Sequence, residues 1–239
     1  VKTILVLEPV VVATAGMLAQ DEAYLERIKG PDTIVKTVAP NAGPTSIETY
    51  YDEAQAVPGV LRLAEDNVDG CDAVVVNCFA DPGVHALREI LDVPVVGPAE
   101  ASMALALQLG HRFAVISILA NAGPWAERQA RLLGVEDRLA AAVGIELGVL
   151  DLDEDVEETA RSLIAAARDC VDKGADVIVL GCTGMFVAVD LMRAALEVPV
   201  IEPLAAAVGT AELLVSLGLR HTHGGTYLSP DRSKFVAQE

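Results

Sequence analysis

Short apolar runs alternate along the chain with longer segments whose apolar residues recur at helical spacing. The runs are Lys2 to Glu8, Thr33 to Val38, Asp72 to Cys78, Val93 to Val96, Arg112 to Ile118, Ile145 to Leu150, Asp176 to Cys182 and Val198 to Ile201. Each reads as a buried strand. Between them, helices are predicted at Met17–Ile28, around Val60, Leu61, Ala64 and Val68, and over Gly83–Leu91, Ala99–Leu109, Trp125–Leu133 and Pro203–Leu217. A long helix carries Val156, Ala160, Leu163, Ile164, Ala167 and Val171 on one face, with Asp151–Asp155 as an acidic loop capping its start. Gly30-Pro31, Gly110 and Gly218 end helices, Val57-Pro-Gly59 breaks or opens one, and Thr45-Ser46 is placed to cap it. Strands alternating with helices in this way imply βαβ units and mostly parallel sheets.

The pattern also repeats. Asp72-Ala-Val-Val-Val-Asn-Cys78 and Asp176-Val-Ile-Val-Leu-Gly-Cys182 are two copies of one stretch, each led by a glycine (Gly70, Gly174). Each is followed by turn-forming residues, an apolar helical segment, a second short strand and a proline, Pro98 and Pro203. The period is too long for a solenoid and fits a duplicated α/β lobe. The expected fold is α/β, two pseudo-symmetric lobes, each a mostly parallel four-stranded sheet flanked by helices. Lobe 1 is residues 1–98 plus 205–239, and lobe 2 is the inserted repeat 99–204, with the active site in the cleft between them.

Composition narrows this further. At 239 residues with 52% hydrophobic and 4% aromatic content, the core is built from Ala, Val, Leu and Ile, the usual filling of a covered parallel sheet. A net charge of −18 argues against nucleic acid and anionic membranes as partners. No apolar stretch is long enough to span a bilayer, and the first residues lack a signal-peptide pattern, so a cytoplasmic location is expected. Four cysteines without a secretory signal or a Cys-x-x-Cys pair form neither a disulfide framework nor a zinc site.

Candidate chemistry centres on Cys78 and Cys182. Ligands of open α/β sheets bind beyond the carboxyl ends of strands, where both thiols fall. Each precedes a helix start, whose free N–H groups and dipole lower a thiol's pKa. A thiolate facing a thiol across a cleft suits two-base proton exchange at a carbon acid. The turns Phe79-Ala-Asp81 and Thr183-Gly-Met185 offer N–H donors to an enolate. The competing reading, two buried core cysteines, is weakened by their matched repeat positions. Cys71 and Cys170 lack that match and read as structural.

Asn77-Cys-Phe-Ala-Asp-Pro-Gly83, Val179-Leu-Gly-Cys-Thr-Gly-Met185, Gly43-Pro-Thr-Ser-Ile-Glu48 and Asp52-Glu-Ala54 resemble the hydantoin racemase family of the aspartate/glutamate racemase superfamily. The similarity extends to about Leu219. It implies a cofactor-independent racemase of 5-substituted hydantoins or allantoin, a homo-oligomer, with Cys78 and Cys182 as the two bases. Family members usually carry an Asn-Pro-Asn-Thr type turn after the first strand, and here it reads Glu8-Pro-Val-Val11. Glu8 is therefore either a solvated strand end or an acceptor for a ring N–H. Pro9, Ser46, Asn77, Phe79, Ser117, Asn121, Thr183 and Gly184 complete the candidate substrate contacts.

Neither cysteine turn contains Lys or Arg, and Arg88 reads as a surface residue. A neutral cyclic amide or imide thus fits better than a small carboxylic acid. The alternatives are an aspartate/glutamate-type racemase, a maleate-type isomerase or a decarboxylase through the same enolate, or a non-catalytic two-lobed binding protein. Cys78 speaks against the decarboxylase, whose family keeps only the second cysteine. His221 and His223 stand in a polar tail expected to be solvated, and no metal site is expected. No nucleotide-binding loop is present.

Overall fold

The computed structural model describes residues 1–11, 15–146, 152 and 155–234. The first half runs β1 (Lys2–Leu7), α1 (Ala15–Ile28), β2 (Thr33–Val38), α2 (Tyr50–Asn67), β3 (Ala73–Val76), α3 (Val84–Ile90), β4 (Val95–Val96) and α4 (Pro98–Leu109). The second repeats it with β5 (Phe113–Ser117), α5 (Ala122–Leu132), β6 (Leu139–Gly144), α6 (Val156–Asp172), β7 (Val177–Leu180), α7 (Val189–Ala195), β8 (Val200–Ile201) and α8 (Pro203–Leu217). Two four-stranded sheets result, ordered β2-β1-β3-β4 and β6-β5-β7-β8, with every strand pair parallel.

Strand side chains alternate between faces, and each face of each sheet is covered. Ile4, Val6 and Val75 of the first sheet share one core with Val115, Val179 and Ile201 of the second, filled between them by α4 and α8 (Met103, Leu204, Val208). The opposite faces, Leu5, Leu7, Val74 and Val76 in one lobe and Ala114, Ile116, Ile178 and Leu180 in the other, pack under the outer helices. Burying a Val or Leu side chain contributes roughly 1.5–3 kcal/mol. These shared inner layers therefore hold the lobes at a fixed separation. α4 packs against β5 and β7, whereas α8 packs against β1, β3 and β4, so the chain crosses between lobes at both helices.

Three expectations are corrected. The strand expected at Ile145–Leu150 is β6, and it lies earlier, at Leu139–Gly144. Ile145 and Glu146 follow the strand, and residues 147–150 lie outside the described residues. Pro58 and Gly59 sit inside α2 rather than breaking it. Pro58 and Ala54 both face solvent, so the carbonyl deprived of a partner is hydrated. The cap of α2 is Thr49, in a reciprocal box with Asp52, not Thr45-Ser46. At α6, Asp155 accepts from the Glu158 N–H at 2.9 Å and provides the expected cap, while Asp151, Asp153 and Glu154 lie outside the described residues.

The segment after α8 is docked on the first lobe rather than solvated. His221 Nε2 accepts from the Val95 N–H at 2.6 Å, and His223 Nε2 lies 3.1 Å from the Leu91 carbonyl. Burial and the Arg88 charge push His221 down to about 4, which keeps its ring neutral and able to accept. Arg88 is likewise not a surface residue. Its side chain is 13% exposed, bonds the Val95 carbonyl, pairs with Glu100 and meets Tyr227.

Candidate active site

The register of the inner strands brings the two candidate cysteines together. β1 pairs with β3 as Leu7↔Val76, and β5 with β7 as Ile116↔Leu180, so both pairs of strands end side by side. The residues one step further are Glu8 and Asn77 in the first lobe, and Ser117 and Gly181 in the second. Cys78 and Cys182 follow directly, half-buried and unbridged, and both line the same two adjoining cavities.

One cavity is apolar. Ile47, Phe79, Val115, Ile118, Leu119 and Trp125 line it, with Ser117, Gln129 and Thr183 at its edges. The other also has largely apolar walls, with Val10, Leu152, Phe186 and Val187, but it carries the acids Glu8 and Asp21 together with Pro9, Gln20, Ser46, Asn77, Thr183 and Gly184, and no Lys, Arg or His is among its described lining residues. Of the sequence candidates, only Asn121 lines neither cavity. It is exposed, and its Nδ2 donates to the Glu48 carbonyl at 3.1 Å. That bond and the Tyr50–Trp125 ring contact, 5.2 Å between centroids, tie the loop before α2 to the start of α5 across the cleft.

The cysteine surroundings differ from the sequence expectation in one respect. No long helix follows either thiol directly. Thr183–Ala188 is a 3-10 helix, and turns occupy the residues between Cys78 and Val84. Ala80 N–H serves Cys78, and Gly184 and Met185 N–H serve Cys182. Burial outweighs these donors. It pushes Cys182 up to about 11 and Cys78 higher still, and the neighbouring Cys182 raises Cys78 further. Both are thiols at neutral pH, and Cys182 is the more readily ionised. Cys71 and Cys170 are buried away from the cavities, as expected.

Glu8 is buried, at 4% exposure, rather than a solvated strand end. Its Oε1 accepts from Asn77 Nδ2 at 2.8 Å. Burial and the nearby Asp21 push the acid up to about 8 against the pull of that bond. Asp21, raised by burial and Glu22 to about 6, was missed from sequence. A carboxylate in a charged helix reads as solvated, and only its place on the same helix face as Tyr24 and Gln20 hints otherwise. Ile47 was missed although it stands inside the Gly43–Glu48 stretch, and Trp125 and Gln129 were missed because no motif marks them.

Second-lobe groups close the cleft from the other side. Thr183 Oγ1 donates to the Asn77 carbonyl at 3.4 Å, and Gln129 Nε2 to the Ala80 carbonyl at 3.1 Å. Tyr24 stacks on Phe186 at 4.5 Å and donates to Glu202 at 2.7 Å. Among the described residues, no cluster of His, Cys, Asp and Glu could hold a metal ion. No helix among them is long and apolar enough to cross a membrane.

Residues 4–211 match the family model described as Asp/Glu/Hydantoin racemase. The chain is 38% identical over 207 residues to a hydantoin racemase of Pseudomonas sp. (strain NS671), covering 86% of this chain and 83% of that one. It is 38% identical over 224 residues to a hydantoin racemase of Rhizobium meliloti, with 91% of each covered. The crystal structure of an allantoin racemase from Pseudomonas fluorescens superposes with a TM-score of 0.92 at 30% identity, covering 98% of this chain and 100% of that one.

Proposed function

The chain belongs to the Asp/Glu/hydantoin racemase family and is an isomerase of the racemase type, and from that premise we propose that it racemises 5-substituted hydantoins through Cys78 and Cys182. The observation that carries this reading is the pair of half-buried thiols at matched strand ends, lining one cleft from its two lobes. We read those lobes as 1–98 plus 205–239 and 99–204. The site works on a small neutral molecule without a cofactor.

A hydantoin ring suits the cavity that carries Glu8, Ser46, Asn77 and Thr183, and its 5-substituent the adjoining one. C5 then lies between the sulfurs. The thiolate of one cysteine takes the C5 proton. The C–H electron pair moves into the ring carbonyl as an enolate, and the other thiol delivers its proton to the opposite face. The first cysteine ends as a thiol and the second as a thiolate, so protons balance and the reverse direction uses the same groups. Ionisation of Cys182 is the less costly start, and the Gly184 and Met185 N–H groups hold its negative charge.

The site disfavours aspartate, glutamate and other carboxylates, because a substrate anion meets the Asp21 carboxylate and the buried Glu8 acid with no cation in the described lining. Hydantoins and allantoin keep their donors and are neutral, so they are favoured over amino acids. The test is turnover of enantiopure 5-benzylhydantoin, allantoin, L-aspartate and L-glutamate by polarimetry. Loss of rotation with a hydantoin or allantoin alone supports the reading, and turnover of only the amino acids contradicts it.

A further inference from the structure

We propose that Asp81 is a positioning residue for Cys78. Its carboxylate fastens the Cys78 turn to the start of α4 and so fixes where that thiol stands relative to Cys182. This deepens the two-thiol reading and rests on it for the chemistry. The starting point is a difference between the lobes. α4 and α8 begin alike, with Pro98 and Pro203 in their first turns. The residues before them, Gly97 and Glu202, share one extended conformation, φ −96° and ψ 137° against φ −92° and ψ 127°. The first free N–H groups of a helix need acceptors. Glu202 caps its own helix, accepting from the Leu204 N–H at 2.9 Å and the Ala205 N–H at 2.7 Å. Gly97 has no side chain to do this. Asp81 supplies the cap instead, accepting from the Ala99 N–H at 2.9 Å and the Glu100 N–H at 3.1 Å. The two arrangements exclude each other, because a Cβ on Gly97 would lie 2.4 Å from Asp81 Cγ.

Capping alone does not call for a residue from the Cys78 turn, as Glu202 demonstrates. What the distant cap adds is a tie. The Asp81 N–H donates to the Cys78 carbonyl at 3.0 Å, so carboxylate and thiol belong to one turn. Asp81 closes that turn at φ 54°, a left-handed value that Asp tolerates better than most residues. Ala80, between them, gives its N–H to Cys78, and its carbonyl accepts from Gln129 Nε2 of α5 at 3.1 Å. α4 packs against β5 and β7, and β7 leads to Cys182. A route of close contacts from one thiol to the other therefore runs through Asp81 and α4. The Cys182 turn is built differently, as the 3-10 helix Thr183–Ala188, with the Met185 N–H on the Cys182 carbonyl at 3.2 Å. Misplacing a reacting group by about 1 Å costs on the order of 100-fold in rate. Loss of the tie therefore falls on proton transfer at Cys78. Exchange at the face that Cys182 serves does not pass through that turn.

The test separates the cap from the tie. Asp81→Gly removes both. Asp81→Gly combined with Gly97→Glu restores a cap in the manner of Glu202 and leaves the tie cut. Asp81→Asn keeps one acceptor oxygen and tolerates the same φ. C5-proton exchange in heavy water is followed for each enantiomer of 5-benzylhydantoin, beside urea midpoints. The double variant is expected to regain a midpoint near that of wild type. Its exchange should stay down about 10–100-fold for the enantiomer that Cys78→Ala leaves unexchanged, and within about three-fold of wild type for the other. Asp81→Asn should fall between the two, on the same enantiomer. Recovery of both enantiomers along with the midpoint, or equal loss of both, overturns the proposal. Iodoacetamide labelling of Cys78 and Cys182, read by peptide mass, needs no substrate. A freed turn should raise the Cys78 rate about ten-fold in the double variant and leave Cys182 unchanged. That labelling pattern without exchange of any hydantoin by wild type keeps the tie and ends the racemase reading. Racemisation with labelling unchanged at both thiols does the reverse.

Discussion

The two strand ends that face each other across the cleft are copies of one design with opposite fillings. In the first lobe, Glu8 and Asn77 put a buried acid and a buried amide ahead of Cys78. In the second, Ser117 and Gly181 put two small groups ahead of Cys182. A Cβ on Gly181 would lie 2.8 Å from Ser117 Cβ and 3.1 Å from Val115 Cγ1, so closeness of packing, not polarity, sets that residue. The helix that follows each short outer strand shows the same division. Asp81 reaches from the Cys78 turn to accept from the Ala99 and Glu100 N–H groups, and Gly97 leaves room for it. At the equivalent place in the second lobe, Glu202 caps its own helix through Leu204 and Ala205. A duplicated fold thus keeps the thiols at matched strand ends while placing a buried polar pair in one half and close packing in the other.

Removing either thiol is expected to have the largest effect. Cys78→Ala and Cys182→Ala are each expected to reduce racemisation by about 10²–10⁴-fold, the usual range for loss of a proton-transfer group. Each should still exchange the α-proton of the enantiomer that its remaining thiol faces, and steady-state polarimetry beside proton exchange reads both. Because burial raises both thiols, turnover should climb with pH toward about 11 as Cys182 ionises. A pH profile of kcat checks this.

Packing comes next. Gly181→Ala is expected to destabilise by about 1–3 kcal/mol through the contacts above, and Gly97→Ala by a similar amount, since its Cβ would fall 2.4 Å from Asp81 Cγ. Urea midpoints at constant slope check both. A midpoint for Gly181→Ala equal to wild type removes the packing half of the comparison.

A smaller effect follows from Glu8. Its folded-state pKa of about 8 lies above its ordinary 4.5, so the folded chain holds the proton where the unfolded chain has released it. Stability from this group is therefore full below about pH 4.5 and is lost as pH rises to about 8. Asp81, pushed up by burial to about 8 from 3.8, acts in the same direction. Glu8→Gln should flatten part of that slope, by on the order of 1 kcal/mol or more, in melting temperature against pH. The smallest expected effect is at the Arg27–Asp190 pair that joins the lobes at the surface. Both partners are more than half exposed, and Asp190→Asn should cost under about 1 kcal/mol.

Much of this was legible because the repeat is written in β-branched runs, and parallel strands buried on both faces leave that signature plainly. Cys78 and Cys182 were found because they end those runs. β6 was misplaced because Leu139-Ala-Ala-Ala-Val-Gly144 is alanine-rich and half-buried, a poor strand signal beside the more apolar Ile145–Leu150. Pro58 read as a breaker because sequence does not show which carbonyl faces water. Asp21 and the partnering of Glu8 with Asn77 were hidden for a deeper reason. Charge in sequence implies solvation, and only the register of β1 against β3 puts Glu8 inside beside Asn77, as the packing of α1 half-buries Asp21. The long helices expected to lower the thiols do not follow them directly, and burial, a quantity that sequence does not carry, outweighs the local N–H donors.

The most direct test of two-thiol exchange is proton NMR in heavy water with enantiopure 5-benzylhydantoin, run alongside polarimetry on wild type, Cys78→Ser and Cys182→Ser. The account predicts that wild type loses both the C5 proton signal and optical rotation. Each variant should lose the C5 signal from one enantiomer only, with rotation retained. Undiminished racemisation by both single variants would contradict it.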